Sequence, residues 1–327
     1  MTIIFVVNKV IGRDYIGAVD AGDTIFVHFF GAYFGLTVAR VLYNPAHAKS
    51  DKEGSSYTSD KFSMIGSVFL WMFWPSFNGG AAATGDAKQR AMINTYYSLC
   101  SCTLASFAFS ALVTPSKKFS MEHLQNATLA GGVTVGACVD MMLTPGGSVA
   151  INVPAGILSV CGFQYIQPCL LDKLRIHDSC GVNNLHGMPG LFGGLLSVLM
   201  AGIASSDTYD QFSENTSDKS LTEIFPASEN GGKPAGQALS QFLALLVTAG
   251  FAIVGDLVTG LLLHVVGKME GMEGEDFYND DLNIDGMEEK EELPGDLNRM
   301  MEDWRNKRFN GQPGGINAID LKTTIRS

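Results

Sequence analysis

The sequence has few basic residues for its length. Its 327 residues include 22 Lys and Arg against 33 Asp and Glu, which gives a formal net charge of −11 at pH 7. Nucleic-acid binding depends on Lys and Arg side chains that neutralise backbone phosphates. This shortage excludes DNA and RNA as expected partners.

The sequence also lacks the short motifs that mark many enzymes and pumps. It contains no Walker loop, no Gly-x-Ser-x-Gly and no His-Glu-x-x-His. The six cysteines have no metal-finger spacing, and we expect them to be small buried hydrophobic residues. They are Cys100, Cys102, Cys138, Cys161, Cys169 and Cys180. We therefore expect neither an enzyme nor an ATP-driven pump, and no cofactor or metal.

Long apolar segments recur along most of the chain. Seven of them approach the ~20 residues that an α-helix needs to cross the hydrocarbon core of a bilayer. Gly, Ala, Ser and Thr are frequent within them, and such residues let helices approach closely in lipid. The predicted spans are Thr24–Tyr43, Phe62–Gly80, Ile93–Val113, Leu124–Leu143, Ser148–Leu170, Leu185–Ala204 and Gln237–Val266. They predict an all-α, polytopic membrane protein with about seven complete transmembrane helices.

The two ends of the chain differ from these spans. Residues 1–11 look like the last part of a further apolar helix, because they are too short to span a bilayer and lack the features of a signal peptide. We expect an N-terminally incomplete chain that begins with part of an eighth helix. The sequence turns polar and acidic near residue 268. This change predicts a transmembrane domain over residues 1–267 and an acidic tail over residues 268–327.

Basic residues in the loops predict the orientation. If successive spans alternate in direction, one side of the membrane receives eight Lys and Arg residues and the other receives five. Because cytoplasmic loops carry the excess of Lys and Arg, the first side and the acidic tail are expected in the cytoplasm. The loop of residues 205–236 is then outside, where Asn215 begins an Asn-Thr-Ser glycosylation motif.

Two histidines, His28 and His186, lie in membrane-length apolar segments. An ionisable group in lipid is costly, so it usually faces a bundle interior or a pathway. On facing helices the two imidazoles would line one path. The open alternatives are a structural role in helix packing and an intramembrane metal site that also uses Asp140, although no paired-ligand spacing supports a metal.

Five stretches of the sequence resemble the ammonium transporter/Rh glycoprotein superfamily, and specifically its Rh branch. They occur in the family's order within about residues 2–266. The stretches are Asp20-Ala-Gly-Asp23 leading to His28-Phe-Phe-Gly-Ala-Tyr-Phe-Gly-Leu36; Leu70-Trp-Met-Phe-Trp-Pro-Ser-Phe77-Asn78; Ile93-Asn-Thr-Tyr96; Leu124-Gln-Asn-Ala-Thr-Leu-Ala-Gly-Gly132; and Asp178-Ser-Cys-Gly-Val-Asn-Asn-Leu-His186-Gly-Met-Pro-Gly190. The tail matches only loosely.

The resemblance implies a homotrimer of helical subunits in the plasma membrane, each with its own narrow, apolar pore. Two five-helix halves related by an inverted repeat would build the pore, and a last helix would pack outside them. On this plan the His28 span is the fifth helix, the His186 span is the tenth and Gln237–Val266 is the eleventh. The first helices of the plan have no counterpart in this sequence.

The resemblance also implies roles for individual residues. His28 and His186 match the family's paired pore histidines, and two neutral imidazoles in contact can share a hydrogen bond. Asp20 matches an aspartate at the outer end of the fifth helix, where an ionised carboxylate caps backbone N–H groups and attracts cations. Phe77 matches an outer-gate phenylalanine whose ring can face an ammonium ion. Three amides beside these motifs are expected to tie bent helix segments together: Asn78, Asn183 and Asn184.

The expected function is passive conduction of ammonia or ammonium, with CO2 as a second candidate. Moving an ion into low dielectric carries an idealised cost of about 20 kcal/mol, so an apolar pore favours neutral NH3 over intact ions. The alternative is a non-conducting Rh-like scaffold or assembly subunit. In the family, loss of the paired histidines marks that class, and here both are present.

Overall fold

The computed structural model describes residues 1–50, 53–82, 85–205, 207, 209, 225 and 234–270. Within these residues every regular element is helical. The unit that contains the helices runs from Met1 to Met272. The predicted acidic tail lies almost entirely outside the described residues, and so does Asn215.

Ten described α-helices build this unit. They are α1 (Thr2–Val10), α2 (Phe30–Val41), α3 (Tyr57–Gly80), α4 (Gly85–Val113), α5 (Met121–Ala127), α6 (Ala130–Val135), α7 (Pro145–Cys161), α8 (Gln167–Cys169), α9 (Met188–Gly202) and α10 (Pro234–Glu270). Wider π-helical turns occupy Ile11–Tyr15, Thr24–Phe29, Gly162–Ile166, Leu170–Leu174 and Asn183–Gly187. Short 3-10 turns occupy His47–Lys49 and Gly136–Cys138. The turn Thr24–Phe29 runs directly into α2, and Asn183–Gly187 runs directly into α9.

Side-chain caps set the starts of two long helices. At the start of α3 the Ser56 and Ser59 hydroxyls each accept the other residue's backbone N–H. Before α7 the Thr144 hydroxyl accepts the N–H of Gly147, and Pro145 occupies the first helical position. These side chains satisfy N–H groups that have no partner within the helix.

Five described segments are long and apolar enough to cross a membrane. They are Thr24–Val41, Gly85–Val113, Pro145–Leu174, Asn183–Gly202 and Ala235–Gly267. Each overlaps a predicted span, and the predicted span Phe62–Gly80 forms most of the 24-residue α3. The predicted span Leu124–Leu143 is not one continuous helix, because α5 ends at Ala127 and α6 begins at Ala130. Three glycines within this span lower its helix propensity.

Close contacts between helices depend on glycine. A Cβ added at Gly193 of α9 would lie 2.2 Å from the carbonyl oxygen of Thr134 in α6. A Cβ at Gly132 of α6 would lie 2.5 Å from Nε1 of Trp74 in α3. Both distances are far shorter than a van der Waals contact, so these helix pairs can approach only where the side chain is absent.

Helix α10 packs against α2 and α9. Near its start the Gln241 amide accepts the N–H of Val19 at 2.7 Å and donates to the Val19 carbonyl, also at 2.7 Å. The same amide donates to the Ser197 hydroxyl at 2.9 Å. Gln237 donates to the Gly17 carbonyl at 2.8 Å. The last helix is therefore bonded to the segment that immediately precedes Asp20.

Candidate functional site

The structure brings His28 and His186 into contact. Their ring centroids lie 5.0 Å apart and their planes differ by 10°, so the rings are stacked. The shared hydrogen bond that the sequence suggested is absent, because stacked rings direct their nitrogens past each other. Nε2 of His28 and Nδ1 of His186 are buried and have no hydrogen-bond partner among the described residues. Buried polar atoms without partners are uncommon, and here two of them lie on neighbouring rings.

The two rings meet because both histidines occupy corresponding turns. His28 lies in the π-helical turn before α2, and His186 lies in the one before α9. Such turns are rare and occur often at functional sites. The extra residue in each turn changes the direction of the side chains relative to the following helix.

Helix α3 adds two aromatic rings beside His28. The Trp74 ring stacks on His28 with centroids 5.6 Å apart and planes differing by 22°. The Phe77 ring is tilted, with its centroid 6.0 Å from that of His28. Trp74 is buried, whereas Phe77 is half exposed. The His28 ring is therefore stacked with the rings of both Trp74 and His186, and the tilted Phe77 ring lies beside it.

No role for Trp74 was predicted from the sequence, although Trp74 lies in the stretch from Leu70 to Asn78. Trp74 precedes Phe77 by three residues, which places both side chains on one face of a helix. The Nε1 atom of Trp74 is buried without a hydrogen-bond partner among the described residues. The signal in the sequence that could have identified Trp74 was its helical spacing from Phe77.

Asp20 binds the start of the His28 turn. One carboxylate oxygen accepts the N–H of Thr24 at 2.8 Å, and the other accepts those of Ile25 at 2.7 Å and Phe26 at 3.0 Å. Burial and, to a smaller extent, the charge of Asp23 raise the pKa of Asp20 from 3.8 to about 7, against the opposing effect of the three N–H groups. The carboxyl is therefore partly ionised near neutral pH.

Asp178 has the same arrangement at the His186 turn, a role that was not predicted from the sequence. Its carboxylate accepts the N–H groups of Val182 and Asn183, each at 2.9 Å. Burial raises its pKa, while hydrogen bonds from the backbone lower it. Asp178 precedes His186 by eight residues, as Asp20 precedes His28. That repeated spacing is a sequence signal for a matching cap.

Two of the three amides beside the site join separate elements. Asn78 of α3 donates to the Thr95 hydroxyl at 3.0 Å and to the Gly132 carbonyl at 3.2 Å. Asn184 donates to the side chain of Gln167 at 2.6 Å. Asn183 donates only to its neighbour Asn184, at 3.4 Å. Asn184 therefore ties the His186 turn to α8, and Asn78 ties α3 to α4 and α6.

The described residues give no support to a metal site. They contain no group of three or more His, Cys, Asp or Glu side chains that could hold a metal ion. What surrounds the two histidines is mainly aromatic: Trp74 and Phe77.

The sequence profile of the Ammonium Transporter Family matches residues 4–288, a range that includes both histidines and both capping aspartates. The chain belongs to the ammonium transporter family. Within it, the Ammonium transporter Rh type B of Xenopus tropicalis is 50% identical over 264 residues, which cover 80% of this chain and 56% of that protein. The protein of the same name from Danio rerio is 48% identical over 263 residues. The chain thus spans little more than half the length of these relatives.

Two solved structures have a similar fold. Rh50 of Nitrosomonas europaea, of the Rhesus protein family of channels, gives a TM-score of 0.72 at 30% identity, covering 94% of this chain and 71% of that one. Mep2 of Saccharomyces cerevisiae gives a TM-score of 0.54 at 22% identity, covering 74% of this chain and 51% of that one, and supports the fold alone. The predicted all-α membrane fold and the family resemblance are confirmed.

Proposed function

We propose that this chain forms the wall of a passive pathway for ammonia and ammonium through an integral membrane protein. The carrying observation is the stacked contact of His28 and His186, each with a buried nitrogen that lacks a partner among the described residues. The proposal draws its substrate from the relatives named Ammonium transporter Rh type B. We place the protein in the plasma membrane as a homotrimer, with the tail of residues 268–327 in the cytoplasm.

The proposed mechanism follows from the cost of desolvation. An ammonium ion that enters an apolar path intact would meet an idealised cost of about 20 kcal/mol, which neutral NH3 largely avoids. Ammonium is attracted to the mouth by the ionised fraction of Asp20 and contacts the ring face of Phe77. At the mouth the ion gives its proton to bulk water, and the remaining NH3 enters, where an unpartnered imidazole nitrogen accepts one of its N–H groups without fixing a cation.

Proteoliposomes test this function directly. An external ammonium pulse should produce fast internal alkalinisation with the wild-type protein. His28→Ala and His186→Ala should each slow it about tenfold, the factor that corresponds to ~1.4 kcal/mol of added barrier. His264→Ala is the matched control, because that side chain is exposed on α10. If both pore variants match the control, the assigned role of the histidines is wrong, and a non-conducting scaffold is favoured if the wild type is also inactive.

Charge variants at the same positions test the selectivity of the pathway. His28→Asp or His186→Glu would place a fixed negative charge between apolar walls, where it stabilises a cation that the imidazole does not hold. We expect these variants to pass K⁺ current in planar bilayers while the wild type passes none. An unchanged absence of K⁺ current would contradict the view that neutral rings exclude ions.

We propose CO2 as a second permeant, because an apolar path offers it no chemical barrier. A CO2 pulse should acidify proteoliposomes containing carbonic anhydrase faster than protein-free vesicles. Equal rates would remove CO2 from the proposal and leave the ammonia pathway untouched.

A further inference from the structure

An ion pair joins α1 to the start of the His28 turn. The Lys9 ammonium lies 2.8 Å from one carboxylate oxygen of Asp23 and 3.0 Å from the other. Both side chains are largely sheltered, with exposed fractions of 31% for Lys9 and 20% for Asp23. The pair connects α1 to the residue just before the turn Thr24–Phe29. In the sequence, the turn Ile11–Tyr15 and Asp20 lie between the two partners.

Asp23 has an unusual backbone conformation. Its φ of 52° and ψ of 32° are left-handed, a region that favours glycine and is tolerated mainly by Asn and Asp among other residues. Its carbonyl oxygen accepts the N–H of Val27 at 3.0 Å and that of His28 at 3.1 Å. The conformation of Asp23 therefore sets where the π-helical turn begins and how His28 is oriented.

The same carboxylate also lies in the field of Asp20, whose pKa its charge raises. Lys9 thus pairs with one of two neighbouring carboxyl groups, that of Asp23. Without it, Asp23 would keep a negative charge that repels Asp20 and has no partner at this distance. Removing the Lys9 charge alone should therefore disturb the turn more than removing both charges of the pair.

We propose that the Lys9–Asp23 ion pair is a positioning device for the pore: it holds Asp23 in the left-handed conformation that directs the His28 ring onto His186. Neither residue is assigned contact with the permeant. This inference rests on the proposed function for its transport readout, whereas its structural readout is independent of transport.

The transport experiment compares Lys9→Met, Lys9→Arg and the double variant Lys9→Met/Asp23→Asn in proteoliposomes. Lys9→Met should lower the maximal rate of ammonium-driven alkalinisation about threefold or more, a factor within the range of measured coupling between contacting residues. Lys9→Arg should keep the wild-type rate. The double variant should recover only part of the loss, because it removes the unpaired charge but does not restore the ion pair. The concentration for half-maximal rate should stay unchanged, because His28 acts after recruitment. Lys173→Met is the matched control, since that lysine is exposed.

The structural experiment uses the fluorescence of Trp74, which stacks on His28. Replacing the other two tryptophans of the chain, Trp71 and Trp304, by Phe leaves Trp74 as the single reporter. Lys9→Met should shift its emission, whereas Lys9→Arg and Lys173→Met should not.

Distinct outcomes separate the two proposals. A Lys9→Met protein with wild-type rate and wild-type Trp74 emission would overturn the positioning role. A change in half-saturation with no change in maximal rate would also overturn it, since the pair would then act on recruitment. If the wild type conducts no ammonia, the proposed function fails, and the Trp74 emission still decides whether the pair positions His28.

Discussion

Asp20 has a carboxyl group that is partly ionised near neutral pH, because burial raises its pKa to about 7. As pH rises from about 6 to about 8, the ionised fraction grows and should attract cations to the mouth more strongly. The concentration of methylammonium that gives half-maximal uptake should therefore fall over this range. Uptake of labelled methylammonium, measured over a series of methylammonium concentrations at each pH, gives this value.

The Asp20→Asn variant should lose this pH dependence, because the amide does not titrate. Asp14→Asn is the matched control, an exposed acidic residue in the preceding segment, and it should keep the wild-type profile. An Asp20→Asn protein whose half-saturation still falls with pH would show that another group is responsible.

Helix α6 contacts Trp74 at Gly132, a position that has no side chain. In Gly132→Ala the new Cβ would lie 2.5 Å from Nε1 of Trp74 and 2.7 Å from its Cδ1. The indole must shift, which changes its contact with His28, and overpacking of this kind typically costs about 1–3 kcal/mol. We expect a lower melting temperature and slower ammonia conduction. Gly66→Ala in α3 is the control, because nothing lies within 4 Å of its added Cβ; equal melting temperatures for the two variants would contradict this packing.

The helices that were predicted well from the sequence are long and apolar along most of their length, as α4 and α10 are. The predicted span Leu124–Leu143 was less well described, because its helical breaks depend on contacts with other helices, as at Gly132 and Trp74. The residue types of the site could be predicted from the stretches that resemble the family. The equal spacing of Asp20 to His28 and of Asp178 to His186 was also visible in the sequence. The stacking of the two histidines was not, since ring orientation follows from the π-helical turns and from tertiary packing.

At the scale of the whole molecule, the distribution of basic residues predicts which loops face the cytoplasm. In a background without the six native cysteines, Ser213→Cys should react with an impermeant thiol reagent added to intact cells. Ser116→Cys should react only after the membrane is permeabilised, because the neighbouring Lys117 and Lys118 belong to the more basic side. The opposite labelling pattern would reverse the proposed orientation and place the tail outside.

Two hydrogen bonds between Gln241 and Val19 connect α10 to the segment that carries Asp20. The Gln241 amide accepts the N–H of Val19 and donates to its carbonyl, the two-bond pattern of a residue pair in a β-ladder, although the residues are 222 apart in sequence. Val19 is covalently joined to Asp20, whose carboxylate holds the first N–H groups of the His28 turn. We therefore expect a change in the tilt of α10, such as one imposed by a thicker bilayer, to pull on the Val19 peptide group and so to alter the His28 turn.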